Sequence, residues 1–319
     1  MLINVDAIQI AADRIRPYLL PTPIIRSDYY SQKTGANVFL KLDIFQPTHS
    51  FKVRGALNAV LSLPEAQRRK GVITASQGNH GMGVIYAAKL SGVGATVYLG
   101  KNAAPSRVQA LRELGGEVVL YGDSWDEANR RAMEVAANEG KAFIHPFNDP
   151  NVMAGQATIF HELMQQMPSI DVVIASIGGG GLISGIISAV QAFSTSTQVF
   201  GVETIGADSM YQSVQAGKIV ELPAITSIAT SLGARRTEQT QFEIVHEYAK
   251  DVVAVSDKMA VEAIIELLNE EKLLVEPAAS CTLSALTQGQ IPVKAGANVA
   301  VIMCGANVTL DNVLGWRKV

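Results

Sequence analysis

Three short segments carry residue types and spacings suited to chemistry. In Ser50-Phe-Lys-Val-Arg-Gly55 a lysine follows a loop (Pro47, Thr48, His49, Ser50) and opens an apolar-periodic run with Ala56, Leu57, Val60 and Leu61 on one face. Lys52 is therefore expected in the first turn of a helix, whose positive end lowers an amine pKa and favours the neutral nucleophile that forms imines. A solvated helix lysine is the plain alternative. Thr74-Ala-Ser-Gln-Gly-Asn-His-Gly81 follows a strand and precedes a helix, offering hydroxyl, amide and main-chain N–H donors to a carboxylate. Its alternative reading is a turn in which Ser76 or Asn79 caps the helix. Ala175-Ser-Ile-Gly-Gly-Gly-Gly-Leu182 runs from strand to helix, and its four glycines let N–H groups close around a phosphate.

A fourth segment, Val301-Ile-Met-Cys-Gly-Ala-Asn307, puts Cys304 at the carboxyl end of a strand, where open α/β sheets place ligand groups. A small buried hydrophobe is the alternative for that cysteine. Neither G-x-G-x-x-G nor G-x-x-x-x-G-K-[ST] occurs, so the dinucleotide and nucleotide fingerprints fail. His161-Glu-Leu-Met-Gln165 has glutamine where a zinc helix needs its second histidine and reads as a solvated helix face. There is no G-x-S-x-G elbow, and His49, His145 and His246 have no partners at fixed spacing.

The elements that must position these residues alternate. A helical pattern over 4–18 stops at Pro21-Thr-Pro23, and Asn37 to Leu42 reads as a strand. Strands at 72–74, 95–99 and 117–120 alternate with helices after Asn79, Ser106 and Ser124; strands at 172–177, 199–202, 252–255 and 298–303 form a second series. Such βαβ alternation implies parallel sheets with helices on their faces and two α/β units, with a soft boundary near residue 145. The chain of 319 residues is 48% apolar and 17% charged with net charge −3, which leaves no bulk basic surface for nucleic acid or anionic lipid. Two cysteines make no disulfide framework, and the N-terminus lacks a secretory pattern, so a cytoplasmic protein is expected. The stretch from Val172 to Val202 is uncharged and its first half is long enough to span a bilayer, but the glycines in that half favour buried strand, loop and helix.

Together these segments resemble the fold-type II pyridoxal-phosphate enzymes, specifically the serine/threonine dehydratase (ammonia-lyase) and serine racemase group. Ser50 to Gly55 looks like that family's Schiff-base lysine motif, Ser76 to His80 like its carboxylate loop, and Gly178 to Gly181 like its phosphate loop. Ala154-Gly-Gln-Ala-Thr158, Val275-Glu-Pro-Ala278 and Cys304-Gly-Ala-Asn307 agree as well, and the likeness covers nearly the whole chain. The resemblance implies an α/β fold of two open, twisted parallel-sheet domains with helices on both faces, similar to tryptophan synthase β. Residues 1–65 and 146–319 would form a large cofactor-binding domain and 66–145 a small substrate-loop domain.

It further implies pyridoxal 5′-phosphate on Lys52, Phe51 against its ring, Asn79 at the ring hydroxyl, and Gly178, Gly179, Gly180, Gly181 and Leu182 around the phosphate. Cys304 would face the pyridine nitrogen; a thiol cannot protonate it as an aspartate does, which suits elimination or fast reprotonation better than transamination. Ser76, Gln77, Gly78, Asn79 and His80 would hold the substrate carboxylate, with Lys52 and Ser76 as the catalytic residues. The implied reaction is dehydration of a β-hydroxy amino acid such as L-threonine or L-serine to a 2-oxo acid and ammonia. Serine racemisation, or dehydration of phenylserine or hydroxyaspartate, is the alternative.

Two positions depart from the family pattern. Gln77 stands where racemases carry a serine base and cannot exchange a proton at neutral pH, which disfavours racemisation. Val202-Glu-Thr-Ile-Gly-Ala-Asp-Ser209 resembles the cation site, but Ser209 replaces the aspartate of divalent-binding members. A monovalent ion on Glu203 and carbonyls of Ala207, Ser231 and Ala234 is therefore expected rather than a divalent one. A homodimer is expected, with a small amino acid substrate and no nucleic-acid or membrane partner, and without the regulatory domain of biosynthetic threonine dehydratases. Readings from other classes are a nicotinamide-dependent oxidoreductase, for which Glu203 follows the glycine loop at a suitable distance, and a non-catalytic binding protein that keeps the cofactor loop.

Overall fold

The computed structural model describes residues 1–76, 78–193 and 196–317. Among the described residues ten strands form two sheets: β1 (Ile24–Ser27), β2 (Asn37–Lys41), β3 (Val72–Ala75), β4 (Ala95–Leu99), β5 (Glu117–Leu120), β6 (Ala142–Phe143), β7 (Val172–Ser176), β8 (Gln198–Thr204), β9 (Asp251–Val255) and β10 (Asn298–Ile302). The larger sheet has the order β1-β2-β10-β7-β8-β9 and the smaller β5-β4-β3-β6. Every pairing is parallel except the edge pair β1 with β2, which departs from the all-parallel expectation. Only the short helix Asp28–Thr34 joins β1 to β2, and a return that short suits an antiparallel neighbour. In the sheet centre Val299 of β10 lies between Val38 and Val172, and all three are buried. That is why these strands read as unbroken apolar runs rather than alternating ones.

Helices cover both sheets. On the small sheet the helix Trp125–Glu139 turns Ala128, Ala132 and Ala136 inward against Ile73, Ala75 and Tyr98. Alanine every fourth residue lets its axis lie close to the strands. Ser124 caps its start by accepting from Glu127 N, and Gly140 ends it in the left-handed region. The helix Lys52–Ser62 packs against both Asn79–Leu90 and Pro150–Gln166. A Cβ on Gly155 would lie 2.6 Å from Arg54 O, so glycine there lets two helices cross at backbone contact and fixes the turn that carries Lys52. Val53, Ala56, Leu57 and Val60 share a hydrophobic cluster with Val72, Val84 and Val97 of the small sheet and its helix.

The stretch from Val172 onward is a buried strand, a glycine loop and the helix Gly181–Phe193. Among the described residues no helix is long and apolar enough to cross a membrane.

Candidate active site

The segments after β3, β7 and β10 meet the lysine loop at the carboxyl ends of the strands, where parallel sheets leave a crevice. Phe51 N donates to Cys304 O at 3.0 Å and Ala306 N to His49 O at 2.9 Å, so the loop before Lys52 is zipped to the segment following β10. His49 there adopts φ +53°, a conformation that side chains with a Cβ rarely take. Lys52 is the first residue of its helix; its Nζ donates to Pro146 O at 2.8 Å and lies 5.2 Å from the centroid of the Phe51 ring. No carboxylate among the described residues pairs with it. Loss of hydration pulls its pKa down to about 8, against a smaller opposing effect from Cys304.

The glycine loop lies beside Lys52 through Pro146 and Phe147. A Cβ on Gly179 would run into the Phe147 ring, one on Gly181 would come within 2.8 Å of Phe147 Cβ, and one on Gly178 within 3.1 Å of Leu232 Cα. Gly180 has φ +94° and leads into the helix that starts at Gly181. The N–H groups of Gly181, Leu182 and Ile183 therefore have no carbonyl a turn behind them inside the helix, and they face the loop as anion donors.

In the loop after β3, Gly78 is the N-cap of the helix Asn79–Leu90 and no side chain caps it; Ser76 Oγ instead accepts from Gly78 N at 3.3 Å. The capping alternative for Ser76 and Asn79 is thus not realised. Gln77 lies outside the described residues. His80 is buried with Nε2 3.0 Å from Ile144 O, and burial, reinforced by the Lys52 charge, lowers its pKa to about 3, so the ring is neutral. His145 behaves alike: its Nδ1 accepts from Asn148 N at 2.8 Å, and its pKa falls to about 4 for the same two reasons. Trp125 Nε1 donates to Ala75 O at 3.0 Å, bracing the start of this loop.

Cys304 is buried with Sγ 3.4 Å from Ser176 Oγ. Burial, with the Glu276 carboxylate adding to it, pushes the thiol up to about 12, so it stays protonated. Glu276 accepts from Asn79 Nδ2 at 2.8 Å and from Asn307 N at 2.9 Å. Neither Glu276, Asn307, Pro146 nor Phe147 had been given a role from sequence. The signal available for Glu276 was a lone carboxylate in an apolar run ahead of Pro277, the first residue of a helix.

The residues expected to hold a cation lie on β8 and in the segments that follow it. Glu203 is fully buried and accepts from Tyr211 N at 2.7 Å and Met210 N at 3.3 Å, and desolvation raises its pKa well above the usual carboxylate range. Ala207 is buried beside it in chain, Ser231 is exposed, and Ser209 Oγ donates to Ala234 O at 2.9 Å. Among the described residues no three His, Cys, Asp or Glu side chains gather as a metal centre. The face of His161 and Gln165 is partly solvated, as expected, but Glu162 between them is not: it takes Arg54 Nη1 at 2.6 Å and Lys41 Nζ at 2.7 Å, because the helix turns that one carboxylate toward two buried cations.

The family model for pyridoxal-phosphate dependent enzymes matches residues 15–305. Among curated relatives, the chain is 39% identical over 306 residues to an L-threonine ammonia-lyase of Geobacter sulfurreducens, covering 96% of this chain and 76% of that one. It is 38% identical over 294 residues to a phenylserine dehydratase of Ralstonia pickettii, covering 92% and 90%. Among solved structures, maize serine racemase is 33% identical with a TM-score of 0.94, covering 99% of this chain and 97% of that one.

Proposed function

The chain belongs to the pyridoxal-phosphate dependent enzyme family, and from that premise we propose that it is a dehydratase of the ammonia-lyase type, turning a β-hydroxy amino acid such as L-threonine or L-serine into a 2-oxo acid and ammonia. The observation that carries the reading is Lys52, a lysine without a carboxylate partner and depressed to about 8, set beside a glycine loop at a helix start. These residues fit the cofactor. Lys52 offers the amine, Phe51 an apolar face, Asn79 an amide, Gly178 to Gly181 and Leu182 the anion donors, and Cys304 a neutral thiol. When bound, pyridoxal phosphate supplies an aldehyde that condenses with amines and a ring that withdraws electrons from the substrate Cα.

At pH 7 an amine with this pKa is about one-tenth neutral, enough to take a Cα proton at Nζ. Ser76 and Gln77 hold the substrate carboxylate, joined by the main-chain N–H groups of Asn79 and His80 at the helix start, since the Asn79 side chain is turned to the cofactor and the His80 ring is engaged with Ile144. Loss of the β-hydroxyl with the Cα proton removes water; the released enamine takes water back and yields the 2-oxo acid and ammonia. Cys304, protonated, would offer the ring nitrogen a neutral partner that cannot protonate it, which would favour elimination over transamination.

Serine racemisation is the second reading, supported by the likeness to the maize enzyme and opposed by the chemistry of Gln77. Dehydration of phenylserine or hydroxyaspartate is the variant that a roomier or cationic side-chain pocket selects. We also assign 66–145 as the small domain that carries the substrate loop, with 1–65 and 146–319 as the large one. Glu203 serves a bound cation, monovalent by its ligand set, and the enzyme works as a cytoplasmic homodimer. The test is absorbance of the purified protein with pyridoxal phosphate, followed by oxo-acid release from L-serine, L-threonine, their D-forms, phenylserine and hydroxyaspartate. A visible band lost in Lys52→Ala, with oxo-acid release, supports the reading; no band, or inversion of configuration without release, overturns it.

A further inference from the structure

Asn79, Glu276, Asn307 and Thr48 form a hydrogen-bonded chain whose direction is fixed at both ends. Thr48 offers its main-chain carbonyl, which only accepts, and Asn307 Nδ2 donates to it at 2.9 Å. The same Nδ2 donates to Asn79 Oδ1 at 2.7 Å. At the other end the Glu276 carboxylate, which also only accepts, takes Asn79 Nδ2 at 2.8 Å and Asn307 N at 2.9 Å. Asn79 is thereby prevented from flipping: its oxygen is committed to Asn307, one N–H to Glu276, and its second N–H has no partner among the described residues. Asn79 and Glu276 are both buried, so water cannot easily replace either partner. The approach is also built for: a Cβ on Gly305 would lie 2.6 Å from Glu276 Oε1 and 3.1 Å from Asn79 Nδ2.

We infer that Glu276 is a positioning residue that forces Asn79 to act as a hydrogen-bond donor, and never an acceptor, toward the ring oxygen of the cofactor. The inference rests on the cofactor reading above. A donor at that oxygen stabilises its deprotonated, visible-absorbing form. A carbonyl turned toward it keeps the oxygen protonated and moves absorbance to the near ultraviolet.

The experiment compares holoenzyme spectra of wild type, Glu276→Met and Glu276→Gln, with the affinity of each apoprotein for pyridoxal phosphate measured by titration. Met removes the acceptor at similar length. Asn79 Nδ2 and Asn307 N then both lose their acceptor, Asn307 is no longer anchored against Asn79 Oδ1 and the amide can turn, so the visible-to-near-ultraviolet ratio falls several-fold and cofactor binding weakens about tenfold or more. Gln keeps an oxygen for the same two N–H groups and retains the wild-type ratio. If Met leaves the ratio unchanged, the inference is wrong. If Gln shifts it as far as Met does, charge rather than donor direction is responsible and the inference is equally wrong. Should the Met variant fail to fold, Glu276→Leu gives the same comparison. Absence of a visible band in wild type would instead overturn the cofactor reading itself.

Discussion

Replacing Arg54 by methionine should destabilise the protein by several kcal/mol and disturb Lys52, two residues before it. Arg54 has no solvent exposure; it grips Asp43 with Nε at 2.7 Å and Nη2 at 3.0 Å, and Glu162 with Nη1 at 2.6 Å and Nη2 at 2.8 Å. Lys41, equally buried, adds 2.7 Å to Glu162, so two cations face two carboxylates and the network is neutral. The variant leaves Asp43, also without exposure, only Thr22 Oγ1 at 2.8 Å as a side-chain donor among the described residues. Breaking one side of a buried ion pair costs about 3–5 kcal/mol, because the remaining charge is stranded rather than because the pair itself is that favourable. An unfolding entropy of about 2.1 cal/mol/K per residue gives about 0.7 kcal/mol/K for a chain this long, so Tm falls by about 4–7 °C. Thermal unfolding of the apoprotein reads this directly. Arg54→Met with Asp43→Leu removes the stranded charge and should recover at least half of the loss. A single variant within about 1 °C of wild type, or a double variant no better than the single, would refute the argument that stranded charge sets the penalty.

Other outcomes follow from the same geometry. The rate at which apoprotein takes up pyridoxal phosphate should rise about tenfold per pH unit below the Lys52 pKa of about 8 and level off above it, because only the neutral amine attacks; stopped-flow absorbance checks this. Gly179→Ala drives a methyl group into the Phe147 ring, costing about 1–3 kcal/mol and weakening cofactor affinity, and adding Phe147→Leu should restore part of both. Glu203 has a raised pKa when folded, so its carboxylate detracts from stability at neutral pH and the loss disappears in acid. Glu203→Gln should therefore raise the Tm of cation-free protein at pH 7 but not near pH 4, and any stabilisation by potassium should be absent from the variant.

Much of this molecule was legible in its sequence because local signals and global fold agree. The alternation of buried strands with amphipathic helices gave two parallel sheets, and Lys52 opens its helix where loop and periodicity meet. The glycine loop and Cys304 follow neighbouring strands of one sheet, so parallel pairing had to bring them to one edge, whereas Ser76 follows β3 of the other sheet and only the packing of the two sheets brings it there. The antiparallel edge β1 was not legible, since a four-residue extended segment after Pro23 does not reveal its partner or direction. Nor was the role of Glu162: helical spacing named its face, but only packing against Lys41 and Arg54 decided that the face carries buried charge. Glu276 reaches Asn79 from 197 positions away, and Pro146 reaches Lys52 from 94. The sequence by itself determined which groups are available and which ends of strands they occupy, because those follow from nearest-neighbour periodicity. The direction of each hydrogen bond, and the desolvation that brings Lys52 to about 8, were decided by tertiary structure, because both depend on atoms that meet only after the chain has folded.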